Sequence, residues 1–314
     1  MKLAAVVDAY LTRQRSLGMR FESAGRILHR YSRAVSNPEI GEVTPESVSD
    51  FIRGRGALSA SLLLKYKVLK GFYNYAVSRG HVGNSPLPMT LPKLPPQQTP
   101  YIYSTDELLR LVESTSVLQH GHSPHVPAIY RTLLLLLYGS GMRIGEAIGL
   151  AIQDVDLLGQ VITVRDTKFF KTRLVPNGSK LTCELTAHVE RRRLLPLPAG
   201  EASPLFTTRD GRPWSYTRVI SWFQHVRRAA GISCPVGELR PPRLHDIRHT
   251  AAVHRLVAWY SSGQDVQRLL PQLATYLGHL NIRSTQRYLQ MTPDIQQAAS
   301  LRFAQYAMGG DHER

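Results

Sequence analysis

The stretch "GNSPLPMTLPKLPPQQTP" at residues 83–100 constrains this chain more than any other. It holds six prolines. A helix cannot run through it, because each ring removes an N–H and clashes with the preceding turn, and a central strand cannot use it either. The segment therefore reads as an extended connector that divides the chain near residue 95. We assign residues 1–91 to one domain, 92–103 to the linker and 104–314 to a second domain. With 314 residues, both parts are long enough to bury a core.

Before the connector the pattern is helical throughout. "LAAVVDAYLTRQRSLG" and "ESAGRILHRYSRAV" place apolar residues at three- and four-residue steps. "TPESVSDFIRGRG" opens with Thr44 at a cap and Pro45 at the first helical position. "SASLLLKYKVLKGFYNYAVSRG" is a long amphipathic helix that ends at Gly80. After the connector, Ser104 and Glu107 form a capping box. The apolar "AIYRTLLLLLYGSG" reads as a buried helix, "QVITVRDTKFFKTRLVPNG" as a β-hairpin, and "FTTRDGRPWSYTRVISWFQHVRRAAG" as a turn and a helix. The remainder reads as helices. The fold class is mainly α: a helical bundle, then a mostly helical domain with one small antiparallel sheet.

Charge narrows the partner. The net charge is +16, and residues 1–92 hold 13 basic and 6 acidic residues against 26 and 17 in residues 93–314. Both parts are basic, so the expected partner is a polyanion that touches both, nucleic acid first. Arginine dominates the excess, which suits bidentate phosphate contacts. On the last helix of the first domain, Lys65, Lys67, Lys70 and Arg79 are candidate DNA contacts, as is Arg173 on the hairpin. The alternative is an ordinary solvated basic face. No apolar run is long enough for a membrane span, and the N-terminus lacks a small-residue cleavage site, so neither a membrane nor a signal peptide is expected. Cys183 and Cys234 lack CxxC spacing, which fits a reducing cytosol and opposes both a disulfide framework and a zinc site.

Several short stretches carry candidate chemistry. "GSGMRIGEAIGL" puts Arg143 after a glycine turn, at a helix start; alone it could be a surface residue. "LHDIRHT" places His245 and Arg248 three apart, on one helix face. "LGHLNIRSTQRYLQ" holds His279 and, nine residues on, Tyr288, beside Gln286 and Arg287 with little apolar periodicity. Helical tyrosines usually pack their ring and leave the hydroxyl wet. Together, two arginines can clamp the non-bridging oxygens of a phosphodiester, a phenol can become a nucleophile, and a lysine or histidine can protonate a leaving alkoxide. The chain has no acidic metal cluster and no GxxxxGK[ST] motif, so no metal or other cofactor is expected.

In the order Arg143 in "GMRIGEA", Lys168 in the hairpin, His245 and Arg248 in "HDIRHT", His279 in "LGH" and then Tyr288, the chain resembles the tyrosine recombinases, the phage-integrase family, in their compact two-domain Xer-like layout. The resemblance spans nearly the whole chain and implies a SAM-like helical core-binding domain followed by a catalytic domain. It implies that Tyr288 attacks the scissile phosphate to form a 3′-phosphotyrosyl bond. Arg143 and Arg248 then hold the phosphate, Lys168 protonates the leaving 5′-oxygen, His245 assists proton transfer and His279 hydrogen-bonds the phosphate. Glu146 is expected to orient the arginines, and His249 to point off the His245 face. Tyr288 is expected to be semi-exposed so that its hydroxyl meets DNA.

Two departures stand out. Thr167 and Phe169 flank Lys168 where many relatives have glycine, so Lys171 is an alternative, and the stretch from Arg248 to His279 is longer than in the Xer-like pattern. The implied partners are double-stranded DNA recombination sites, a tetramer of this chain on two such sites, and related recombinases, in a bacterial cytoplasm at the nucleoid. The striped helix "DIQQAASLRFAQYAM" could dock on a neighbouring subunit or on its own domain. Type IB topoisomerase-like relaxation and a non-catalytic DNA-binding regulator are the competing readings.

Overall fold

The computed structural model describes residues 1–19, 21–56, 58–93, 99–119, 124–165, 172–238, 240–279 and 281–290. The chain forms two compact units, Met1–Gln98 and Thr99–Arg314. In the first, α1 (Leu3–Ser16), α2 (Glu22–Ala34), α3 (Pro45–Arg53) and α4 (Ala60–Ser78) surround one core. α1 buries Leu3, Val6, Val7, Tyr10 and Leu11, a stripe at helical spacing. The same core takes Leu69, Phe72, Tyr73 and Ala76 from α4. Inside it the hydroxyls of Tyr31 and Tyr73 meet at 2.5 Å, so two buried polar groups satisfy each other.

α3 begins as its sequence indicates: Thr44 Oγ1 accepts the Ser47 N–H, and Pro45 stands in the first turn. Its C-terminus is closed by a residue from another helix. Lys65 Nζ donates to the Phe51 carbonyl at 2.7 Å and lies 4.9 Å from the Phe51 ring centroid. Lys65, read from sequence as a DNA contact, is thus held on the end of α3; burial, then the nearby Arg30, lowers its pKa. Lys67, Lys70 and Arg79 stay exposed.

Leu87 and Leu91 pack against the core of the first unit. Tyr101 and Tyr103, assigned from sequence to the linker, belong instead to the second unit. Their rings meet edge to face at 5.0 Å; Tyr103 is buried, its N–H donates to Thr250 Oγ1 and its hydroxyl to the Arg243 carbonyl. Proline content alone does not mark this boundary, because two aromatic rings next to Pro100 bury more than the flanking prolines disrupt.

The second unit continues with α5 (Thr105–Glu113), capped reciprocally by Ser104 and Glu107. The apolar α6 (Val126–Ser140) runs through the centre and is followed by the short α7 (Ile144–Ile148). Three antiparallel strands come next in the order β1 (Val155–Asp156), β2 (Val161–Val164), β3 (Arg173–Pro176). Val164 pairs with Arg173 and Val161 with Pro176. β2 buries Ile162 and Val164 against the core, the alternation expected of a sheet with one face covered. The tip of this hairpin, with Lys168 and Lys171, lies outside the described residues, as does the striped segment 294–308.

α8 (Ser179–Arg193) and α9 (Tyr216–Ala229) complete the main core. α10 (Asp246–Ser261) and α11 (Val266–Leu277) build a second cluster from Val253, Leu256, Leu270, Leu273 and Leu277. The short α12 (Arg283–Gln286) ends the described helices. α10 and α11 are themselves the longer stretch between Arg248 and His279. Among the described residues, no helix is long and apolar enough to cross a membrane.

One buried cation ties α8 to the loop after it. Arg192 is 2% exposed; Nε donates to the Pro204 carbonyl at 2.8 Å, and Nη1 and Nη2 both donate to that of Pro196 at 3.1 Å. Substituting Arg192→Met keeps most of the volume and removes all of these hydrogen bonds from a buried position. The expected loss is about 2–4 kcal/mol of unfolding free energy, read from urea denaturation.

Candidate active site

The site is built where two helices end. α6 stops at Gly141, which has φ 58, and a Cβ there would lie 2.7 Å from Leu277 Cδ2. α11 stops at Gly278, φ 67, where a Cβ would lie 2.8 Å from Arg173 Nη1. Both positions need a left-handed backbone and an absent side chain. The terminal carbonyls thereby point into one place, and arginines take them: Arg248 Nη1 and Nη2 donate to Gly141 and Leu277 at 2.7 Å each, and Arg143 Nη2 donates to Gly278 at 3.1 Å. Cations at the negative ends of helices are favoured electrostatically.

Arg143 is the N-cap of α7, where it meets Glu146. The carboxylate accepts the Arg143 N–H at 2.9 Å and Nη1 at 2.8 Å. From β3, Arg173 adds a second clamp, with Nη2 and Nη1 at 2.6 and 3.2 Å from the two carboxylate oxygens and Nε on the Tyr276 carbonyl. Burial pushes the Glu146 pKa up, but the hydrogen bonds from Arg173 and Arg143 outweigh it and hold the carboxyl at about 2. Glu146 thus bridges Arg143 and Arg173. Arg173 departs from its sequence reading: its side chain is only 10% exposed and is committed to Glu146, so it sits beneath the site instead of facing DNA.

Arg248 lies in the first turn of α10, 3% exposed. Burial, then the like charge of Arg143, lowers its pKa to about 10, which leaves it charged at neutral pH. Each arginine keeps N–H groups beyond those used for anchoring, since a guanidinium has five.

Tyr288 stands in a 3₁₀ turn, Arg287–Gln290, and packs in the α10–α11 cluster at 2% exposure. The expectation of a semi-exposed tyrosine is corrected: the ring fills the second core, stacked on His279 with centroids 6.0 Å apart and planes 25° apart. His279 Nδ1 is paired with Thr285 Oγ1 at 2.7 Å. The Tyr288 hydroxyl meets His249 Nδ1 at 3.1 Å, and the His249 ring stands edge-on to His245 at 5.0 Å. His249 therefore does not point off the His245 face. Residues four apart on a helix share a face as fully as residues three apart, and the spacing in "HDIRH" carried that signal.

All three histidines are pushed toward the neutral form. Burial is the main cause; for His245 the next is Arg248, for His249 it is His245, and for His279 it is Arg248. His249 and His279 are held at about 4. Tyr276, on α11, donates its hydroxyl to the Gly139 carbonyl, which commits it to the fold. Among the described residues, no group of three or more His, Cys, Asp or Glu side chains is placed to hold a metal ion.

Residues 106–294 match the phage integrase family. The chain is 30% identical over 304 residues to the tyrosine recombinase XerD of Mycobacterium leprae, covering 90% of each chain. It is 32% identical over 300 residues to the candidate integrase/recombinase y4rB of Sinorhizobium fredii, covering 94% of this chain and 95% of that one. Among solved structures, the Tn1549 transposon integrase in complex with transposon right end DNA superposes with a TM-score of 0.70 at 17% identity, covering 97% of this chain and all of that one. A lambda integrase dimer bound to a core site gives 0.66 at 17% identity, with 92% and 77% covered. The chain belongs to the phage integrase family: it is a tyrosine recombinase, an enzyme that breaks and rejoins DNA strands.

Two outcomes follow from this geometry. Gly278→Ala forces a left-handed alanine and drives its methyl into Arg173, so a loss of about 1–3 kcal/mol is expected in thermal or urea unfolding. The loss should be smaller in an Arg173→Ala background, where the clash is gone. The second concerns pH. His249 and His279 are depressed from 6.5 to about 4, so the unfolded chain binds more protons between those values. Their contribution to stability is full above about pH 6.5 and is lost as pH falls toward 4; Glu146, depressed from 4.5 to about 2, adds a further loss below 4.5. Urea midpoints measured from pH 8 to 4 should fall across that window, and less steeply in a His279→Asn variant.

Proposed function

We propose that this recombinase exchanges strands between DNA sites through a 3′-phosphotyrosyl intermediate on Tyr288, with a free 5′-hydroxyl as the other product. The observation that carries the reading is that Arg248 and Arg143 converge on the end of α11, at the Leu277 and Gly278 carbonyls, next to His279, whose ring stacks on Tyr288. Arg143 and Arg248 hold the non-bridging oxygens with the N–H groups left over from their anchors, and their charge opposes the negative charge that builds in the transition state. His279, its Nδ1 engaged by Thr285, offers Nε2 to the phosphate, and His245 assists proton transfer. Lys168 supplies the proton to the leaving 5′-oxygen, with Lys171 as its alternative.

DNA is held by both basic units, with Lys67, Lys70 and Arg79 as backbone contacts in the first. Lambda integrase has been seen as a tetramer bound to a Holliday junction and the Tn1549 integrase with transposon end DNA. By analogy this chain assembles as a tetramer on two sites, alone or with related recombinases, in a bacterial cytoplasm at the nucleoid. Recombinase and integrase names among the relatives favour strand exchange over topoisomerase-like relaxation, and the complete set from Arg143 to Tyr288 disfavours a non-catalytic regulator.

Two measurements on the full chain test this. Tyr288→Phe should bind its DNA site with unchanged affinity and unchanged salt dependence, log K falling by about 0.9 per phosphate neutralised for each log unit of salt. It should form no covalent complex on a nicked suicide substrate; a covalent complex would place the nucleophile elsewhere. Wild-type cleavage should proceed in excess EDTA without nucleotide, because arginines supply the charge that stabilises the phosphate. A strict magnesium requirement for the cleavage step would count against the mechanism.

A further inference from the structure

The reading of Tyr288 as nucleophile leaves open where its proton goes. We propose that His249 takes the phenolic proton of Tyr288 as the bond to phosphorus forms, and so is a catalytic base for cleavage. This rests on Tyr288 being the nucleophile. His249 Nδ1 is 3.1 Å from the Tyr288 hydroxyl, within the range from which a base acts directly. His279 stacks on the same phenol but has its Nδ1 on Thr285. His245 stands edge-on to the His249 ring, with centroids 5.0 Å apart.

The step balances. The Oη–H bond of Tyr288 breaks and its proton goes to His249 Nδ1 while Oη bonds to phosphorus. The bond from phosphorus to the 5′-oxygen breaks, and that oxygen takes its proton from the lysine on the hairpin. In rejoining, the 5′-hydroxyl gives its proton back to that lysine as it attacks phosphorus, the bond from phosphorus to Tyr288 Oη breaks, and His249 returns its proton to the departing phenolate. A base must start unprotonated, and burial with the neighbouring His245 keeps His249 neutral at physiological pH. The cations near it, Arg248 and Arg243, oppose its protonation in the free protein, while Asp246 favours it. A scissile phosphate bound by Arg248 and Arg143 offsets part of that positive charge, so His249 becomes a better proton acceptor when substrate arrives.

The test uses the full-length protein and single-turnover cleavage of a nicked suicide duplex, with either a normal 5′-oxygen or a 5′-bridging sulfur at the scissile phosphate. A thiolate leaves without needing a proton, so sulfur rescues the loss of a leaving-group acid but not the loss of a base on the nucleophile. His249→Asn retains a side-chain oxygen that can accept the Tyr288 hydrogen bond but cannot take a proton; His249→Gln is the second variant. Both should bind DNA as the wild type does and cleave the oxygen substrate about 100- to 1,000-fold more slowly, with no recovery on the sulfur substrate. Cleavage by His249→Asn within about threefold of wild type would overturn the proposal by showing that a hydrogen-bond acceptor suffices. Recovery on the sulfur substrate would overturn it by assigning His249 to the leaving group. Loss of DNA binding by both variants would also overturn it, since the role would then lie in the fold. Covalent product from Tyr288→Phe in the same assay would defeat the reading of the nucleophile instead.

Discussion

One buried carboxylate makes the rest of the site possible. Arg173 and Arg248 are gathered where water is largely excluded, with the half-exposed Arg143 beside them, and like charges so placed repel. Glu146 is the anion that binds two of them, one from its own helix start and one from β3. Its carboxyl is held at about 2 by those arginines against the opposing effect of burial, so it is ionised at neutral pH. A single negative charge does not neutralise three positive ones. The remaining positive charge is the electrostatic basis for phosphate recognition, and a bound phosphodiester relieves the repulsion that folding has to tolerate.

Arg248 solves the same problem without a carboxylate. It is almost fully buried and is anchored on the carbonyls of Gly141 and Leu277, at the ends of α6 and α11. Carbonyls neutralise less than a carboxylate would, so more of the arginine's charge remains available to a ligand. The cost is geometric: both helices must stop so that their last carbonyls converge. Glycines in the left-handed conformation at 141 and 278 accomplish that, and each is so tightly approached that no side chain fits without movement. The glycine turn before Arg143 and the glycine of "LGH" are parts of one device, although 137 residues separate them in sequence.

Much of this was legible in the chain. The helices announced themselves by apolar spacing and by caps, Thr44 with Pro45 and Ser104 with Glu107, because those signals are local. The reacting set was legible as an ordered motif, Arg143 through Tyr288. What the sequence did not disclose depends on partners distant along the chain. Lys65 looked like a surface cation until Phe51 and Ile52 presented their carbonyls to it. Arg173 looked like a DNA contact because its commitment to Glu146 arises only when β3 packs beside α7. Tyr101 and Tyr103 were read by their proline neighbours, whereas Thr250 and the Arg243 carbonyl decide where Tyr103 lies. Tyr288 was read by its polar neighbours in sequence, whereas its ring is claimed by α10 and α11.

The burial of Tyr288 bears on how a phenol can react at neutral pH. A tyrosine in water holds its proton to about pH 10, and burial without charge partners raises that value further. Here the buried phenol has at hydrogen-bond distance an imidazole that is itself kept neutral. The arginines that make the site attractive to phosphate also add to burial, the main cause, in keeping the neighbouring histidines deprotonated. When the phosphate enters, its negative charge weakens the arginines' hold on the histidines and disfavours the free phenolate. On the proposed mechanism, proton removal and bond formation are thereby best accomplished together. Coupling of this kind follows from three cations, one carboxylate and neutral imidazoles sharing a small volume.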